Sequence, residues 1–127
     1  MEGLVEAARA IRGQAYAPYS GFLVGAAVLA GGRVFTGVNV ENASYPISVC
    51  AERNAVAAMV AAGERRIDAV AVMTDAPAPT PPCGGCRQCL WEFGPAAVVI
   101  AQTLEGGRAR WLLTELLPSA FGPSDLA

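Results

Sequence analysis

Cys50-Ala51-Glu52-Arg53 and, thirty residues on, Pro82-Cys83-Gly84-Gly85-Cys86 are the stretches of this chain best equipped for chemistry. A thiol, a carboxylate two positions after it and a distant Cys-x-x-Cys supply three soft ligands and one acid. A catalytic zinc asks for that set: three protein ligands, a fourth position left for water, and a proton carrier nearby. The 127-residue sequence has no histidine, so thiolates must serve. Cys50, Cys83 and Cys86 are therefore expected to bind one Zn²⁺ per chain, with Glu52 as the catalytic general acid/base. Glu52 as a fourth ligand would close the position that hydrolysis needs open. Three thiolates leave the divalent ion with a net negative charge. Arg53, three residues from Cys50, is placed to offset it by donating hydrogen bonds to sulfur.

Two other uses of these cysteines compete. Cys50, Cys83, Cys86 and Cys89 could close a structural four-thiolate zinc site, and Cys-x-x-Cys-x-x-Cys also occurs in iron–sulfur electron carriers. Neither accounts for Glu52 and Arg53. A disulfide framework is disfavoured because three of the four cysteines sit at 83, 86 and 89. With no export signal at the N-terminus, a reducing cytoplasm and metal ligation fit better.

Both ligand stretches are expected to open helices, over about 50–62 and 83–93. Helix N-termini offer free N–H groups and positive potential, which stabilise thiolates. The first of these helices is apolar nearly all round and should be buried in the protein or in an interface. Around them, apolar spacing predicts an amphipathic helix over 2–14. Leu23–Leu29 and Val34–Val38 flank the turn signal Gly31-Gly32 and read as an antiparallel hairpin. Ala69–Met73 and Ala97–Ala101 are unalternating apolar runs, as in parallel strands covered on both faces. The helix from Cys83 between them makes a strand–helix–strand crossover. A short strand near Ala109–Leu112, a C-terminal helix and a tail complete one expected domain over 1–127.

Composition narrows the partners. The chain is 54% hydrophobic and 16% charged, although a domain this small buries only about two thirds of its unfolded surface. A homo-oligomer is expected on that ground. Nine scattered arginines, no lysine and a net charge of −2 make no phosphate-tracking stripe, which argues against a nucleic-acid polymer. No apolar run reaches the roughly 18 residues of a membrane span.

Five stretches in order resemble the small homotetrameric cytidine deaminases: Tyr19–Gly25, Gly37–Ser44, Cys50–Arg53, Pro82–Gln88, and Leu117-Pro118 through Phe121. The resemblance implies a three-layer α/β/α sandwich on a five-stranded mixed sheet. It implies zinc-dependent hydrolytic deamination of cytidine and 2′-deoxycytidine in pyrimidine salvage. It further implies that Asn39 and Glu41 hold the sugar hydroxyls, Phe22 packs on the pyrimidine and the Ala51 N–H meets the base carbonyl. Phe121 would complete a neighbouring subunit's site. Arg87 and Gln88 match positions near the metal without an assigned role. A deaminase of a cytosine-nucleoside antibiotic of the blasticidin S type shares these motifs. The Asn39-x-Glu41 pair favours a plain nucleoside.

Overall fold

The computed structural model describes residues 1–126. Its five strands are β1 (Gly25–Ala30), β2 (Arg33–Val38), β3 (Ala69–Thr74), β4 (Val98–Thr103) and β5 (Arg108–Leu112), in the spatial order β2-β1-β3-β4-β5. The helices are α1 (Glu2–Arg12), α2 (Ala51–Ala61), α3 (Gly84–Phe93) and the single turn α4 (Leu113–Leu116). Short 3₁₀ turns lie at Tyr45–Ile47 and Pro123–Leu126. The mixed sheet and its helix layers are those expected from the sequence.

Strand alternation divides the core in two. Ala27, Ala69, Ala71, Met73 and Ile100 face Leu4, Val5 and Ala8 of α1. Ala26, Val28, Ala30, Val70, Val72 and Val99 face the other way, toward Ala55, Val56 and Met59 of α2 and Leu90 of α3. The result is a three-layer sandwich with both ligand-bearing helices on one face.

All six residues of β3 are buried, in keeping with its unbroken apolar run. The expectation that such a strand is parallel holds on one side only. β3 runs parallel to β4 through the α3 crossover and antiparallel to β1. Burial on both faces makes a strand apolar whichever way its neighbours run, so composition could not tell them apart. Within the chain α2 also buries only one side: Ala51, Glu52, Ala55, Val56 and Met59 are covered, while Ala57, Ala58 and Ala61 are exposed.

Two glycines set how closely the layers approach. A Cβ on Gly25 would collide with the Ala8 carbonyl and Arg12 of α1, and one on Gly37 with backbone atoms of Ala51, Asn54 and Ala55 in α2. The hairpin β1–β2 is thus gripped from both faces at positions where only glycine fits. Among the described residues no helix is long and apolar enough to cross a membrane.

Candidate active site

Cys50 and Cys83 are the residues that cap α2 and α3, each in extended conformation (φ −72° and −65°) just before its helix begins. Cys86 lies in the first turn of α3. The crossover brings these two helix starts together over a separation of 33 residues, with Cys50 Sγ 4.0 Å from Cys83 Sγ and Cys83 Sγ 3.5 Å from Cys86 Sγ. All three sulfurs lie within 4.8 Å of one another. Tetrahedral zinc with Zn–S bonds of about 2.3 Å sets its thiolates roughly 3.8 Å apart, so the trio fits the ion. Cys89 is outside this cluster. It is half-buried and packs against the core beneath α2 and α3, leaving a three-thiolate rather than a four-thiolate set.

The thiols hold their protons unequally. Hydrogen bonding from Cys86 pulls the Cys50 thiol down to about 5, with further help from Cys83 and the Arg53 charge against the opposing effect of burial. The same hydrogen bond, with burial, pushes the Cys86 thiol up. Burial also raises Cys89. Arg53 has a further partner that the sequence did not signal: its Nη2 donates to the Ser48 carbonyl at 3.2 Å. The guanidinium bears on Cys50 first through its charge and only secondarily through hydrogen bonding to sulfur.

Glu52 sits in the first turn of α2 and is 6% exposed. Burial drives its carboxyl above the ordinary carboxylate range, partly offset by its own backbone N–H; the nearby Cys50 charge pushes the same way as burial. A carboxyl so placed binds a proton more readily than an exposed one, which suits a general acid/base.

A cavity of about 260 Å³ opens beside these groups. Cys50, Ala51, Glu52 and Cys83 form one wall, and Phe22, Asn39 and Glu41 another. Ala51 is the first helical residue of α2, so its N–H lacks an intrahelical acceptor. Asn39 accepts from Val24 N at 2.9 Å and donates to the Phe22 carbonyl at 2.8 Å, which fixes the backbone on either side of Leu23. Glu41 Oε1 accepts from the N–H groups of Tyr19 and Ser20, both at 3.0 Å, and Oε2 accepts from the Ser20 hydroxyl. The Ser20 hydroxyl and backbone hydrogen bonds hold the Glu41 carboxyl below its usual range. A carboxylate has about four acceptor sites, so one remains for a ligand hydroxyl. Among the described residues, no basic side chain lines the cavity.

Phe121 does not line this cavity; it is 57% exposed on the C-terminal segment. Sequence reasoning missed Thr74 and Thr80, whose hydroxyls lie 3.3 Å apart in the cavity wall. Thr74 ends β3, and the carboxyl end of a sheet strand beside a crossover is where ligands collect; that position was the available signal. For Arg87 and Gln88 the structure supplies contacts the sequence did not signal. Arg87 donates to the carbonyls of Pro82 and Leu116 at 2.7 and 2.8 Å, and Gln88 to that of Phe121 at 2.7 Å.

Residues 1–102 match the family model described as cytidine and deoxycytidylate deaminase zinc-binding region. The chain is 44% identical over 125 residues to a cytidine deaminase of Halalkalibacterium halodurans, covering 97% of this chain and 95% of that protein. The crystal structure of cytidine deaminase from Burkholderia pseudomallei superposes with a TM-score of 0.91 at 46% identity, over 94% of this chain and 98% of the other. That of Mycobacterium leprae gives 0.81 at 42% identity, over 93% and 97%. Three clustered thiols, a buried carboxyl two residues after the first of them, and these similarities together place the chain in the zinc-binding cytidine and deoxycytidylate deaminase family.

Proposed function

We propose that the chain hydrolyses cytidine and 2′-deoxycytidine to uridine and 2′-deoxyuridine with release of ammonia. The observation that carries this reading is Glu52: a buried carboxyl lining an open cavity, beside three sulfurs within 4.8 Å of one another.

Cys50, Cys83 and Cys86 would hold one zinc, which when bound supplies Lewis-acid activation of water. Glu52 would take a proton from the attacking water as the water oxygen bonds to the amine-bearing ring carbon, and pass it to the adjacent ring nitrogen. It would then move the proton of the new hydroxyl to the amine, which leaves as ammonia as the C–N bond breaks and the carbonyl forms. Its raised affinity for protons suits a group that must hold one between transfers. Phe22 packs on the pyrimidine face, and the unpartnered Ala51 N–H donates to the base carbonyl. Asn39 and the free acceptor of Glu41 take the sugar hydroxyls. The absence of any basic lining residue, with the Glu41 carboxylate at the sugar end, favours a nucleoside over its 5′-phosphate.

Assembly belongs to the same proposal. Tyr45, Ile47 and Phe121 are 70%, 62% and 57% exposed, and the alanines of α2 are bare on one side. Such apolar surface supports a homotetramer in which Phe121 reaches a neighbour's cavity. Four free cysteines suit a reducing cytoplasm.

The test is to incubate zinc-loaded protein with cytidine, deoxycytidine, cytosine, adenosine, deoxycytidylate and a blasticidin-type nucleoside, following the ultraviolet change on loss of the amine. Turnover of the two cytosine nucleosides is expected. Turnover confined to deoxycytidylate or to the antibiotic would replace the substrate assignment.

A further inference from the structure

We propose that Gln88 is a positioning residue for Phe121, and that α3, which carries Cys86 and starts at Cys83, also sets where the Phe121 ring is presented. The inference rests on the reading of Phe121 as a contact to a neighbour's substrate and concerns how the ring is held there.

Two hydrogen bonds and one close approach run from α3 to the end of α4 and the segment after it. Arg87 Nη1 donates to the Leu116 carbonyl at 2.8 Å while its Nε donates to that of Pro82 at 2.7 Å. One guanidinium thus ties the residue before Cys83 to the end of α4. Gln88 Nε2 donates to the carbonyl of Phe121 itself at 2.7 Å. Gly122 is buried, and a Cβ there would press on the Trp91 indole nitrogen at 3.3 Å. Residues 87, 88 and 91 fall within about one helical turn, so both hydrogen bonds and the close approach leave neighbouring positions of one helix.

What they hold is backbone. Between Leu116 and Phe121 the chain passes through Ser119 at φ 52°, the left-handed region that a non-glycine residue occupies only when its surroundings dictate it. Gly122 N then donates to Asp125 Oδ2 at 2.7 Å and closes the turn. Phe121 is not part of the core and stands 57% exposed, so the hydrogen bonds to its main chain are the anchors the structure shows. An aromatic that served its own subunit's core would be anchored by its ring. Here the peptide unit that follows residue 121 is fastened at both its carbonyl and its N–H, and the side chain stands more than half exposed, as one meant for another surface requires.

A merely structural contact and a positioning contact separate in their kinetics. Gln88→Met keeps the length of the side chain and removes the donor; Gln88→Ala removes both. Zinc-loaded full-length Q88M, Q88A, F121A and the double variant Q88M/F121A would be assayed on cytidine. Zinc content and hydrogen exchange of the amides of residues 119–122 would be followed alongside. Loss of one hydrogen bond that orders a ring predicts a threefold to tenfold rise in KM. Unchanged kcat and zinc, faster exchange over 119–122, and no further rise when Q88M is added to F121A are expected with it. A normal KM in F121A would remove Phe121 from substrate binding and the proposal with it. A raised KM in F121A beside unaltered KM and exchange in Q88M and Q88A would overturn the proposal alone. So would zinc loss in Q88M, or a KM rise that adds to that of F121A.

Discussion

Two carboxylates face the same cavity and are treated in opposite ways. Glu52, on the helix wall, is buried and its proton affinity is raised; Glu41, on the loop wall, is only half-buried, accepts three hydrogen bonds from residues 19 and 20, and its proton affinity is lowered. Burial withholds solvation from a charge, whereas donors aimed at a carboxylate stabilise it. One group is thereby made ready to exchange protons and the other to remain a fixed acceptor. In the proposed reaction the starts of α2 and α3 form a chemical wall of the cavity, and Phe22, Asn39 and Glu41 a recognition wall.

The contrast fails if a change on the chemical wall spares turnover. Glu52→Gln keeps shape and hydrogen bonding but cannot carry protons, so kcat should fall by at least about a hundredfold with zinc retained. A variant keeping more than about a tenth of the wild-type rate would take Glu52 out of the mechanism. Serine in place of Cys50, Cys83 or Cys86 should abolish zinc binding, read by metal analysis of the purified protein. Cys89→Ser, outside the sulfur cluster, should keep both metal and rate; zinc loss there would revive the four-thiolate site.

On the recognition wall the effects should be smaller and fall on KM. Glu41→Gln exchanges a charged acceptor for a neutral one. KM for cytidine should rise about tenfold while kcat changes little. Phe121→Ala should raise KM by a similar or smaller factor, since an aromatic contact contributes about 0.5–1.5 kcal/mol beyond its area. Mixing F121A with E52Q chains sharpens this test. If sites are shared, hybrids contain pockets with Glu52 intact and a partner's Phe121 restored, so affinity at low substrate should partly recover. Verified hybrids with unchanged kinetics would return Phe121 to its own subunit.

The mildest effect concerns acid. Because Glu41 is held below the ordinary 4.5, its hydrogen bonds to residues 19 and 20 contribute fully above the unfolded-state value. They are lost only as pH falls through the lowered folded-state value. Nucleoside KM should therefore stay level as pH drops toward 4.5 and rise only below it. A rise beginning well above that point would assign the titration to another group.

Much of the chemical wall was legible because its logic is local. Cys50 and Glu52 are two positions apart on one helix start, and Cys83 and Cys86 three apart on another, so residue type and spacing already define the set. The hairpin was equally plain from Gly31-Gly32 between apolar runs. Pairings between distant segments were less visible. The antiparallel neighbour of β3, the hydroxyls of Thr74 and Thr80, and the hydrogen bonds from Arg87 and Gln88 to main-chain carbonyls depend on which segments meet. A carbonyl acceptor leaves no mark in sequence. The apolar cast of α2 was read as burial in the protein or in an interface; within the chain it covers one side, and composition could not apportion the two because alanine suits either.

Gly37 carries a consequence for how the enzyme tolerates change. It contributes no atom to the cavity, yet Ala51, Asn54 and Ala55 of α2 rest directly on it. A methyl group there would lift the first turn of that helix from the sheet. Cys50, the Ala51 N–H and Glu52 would rise together while α3 kept Cys83 and Cys86 in place. The two halves of the metal set would part as a rigid unit rather than by loss of any functional group. Residue 37 acts as a spacer gauge between two halves of a reaction centre, and a catalytic lesion can arise at a strand position with no side chain at all.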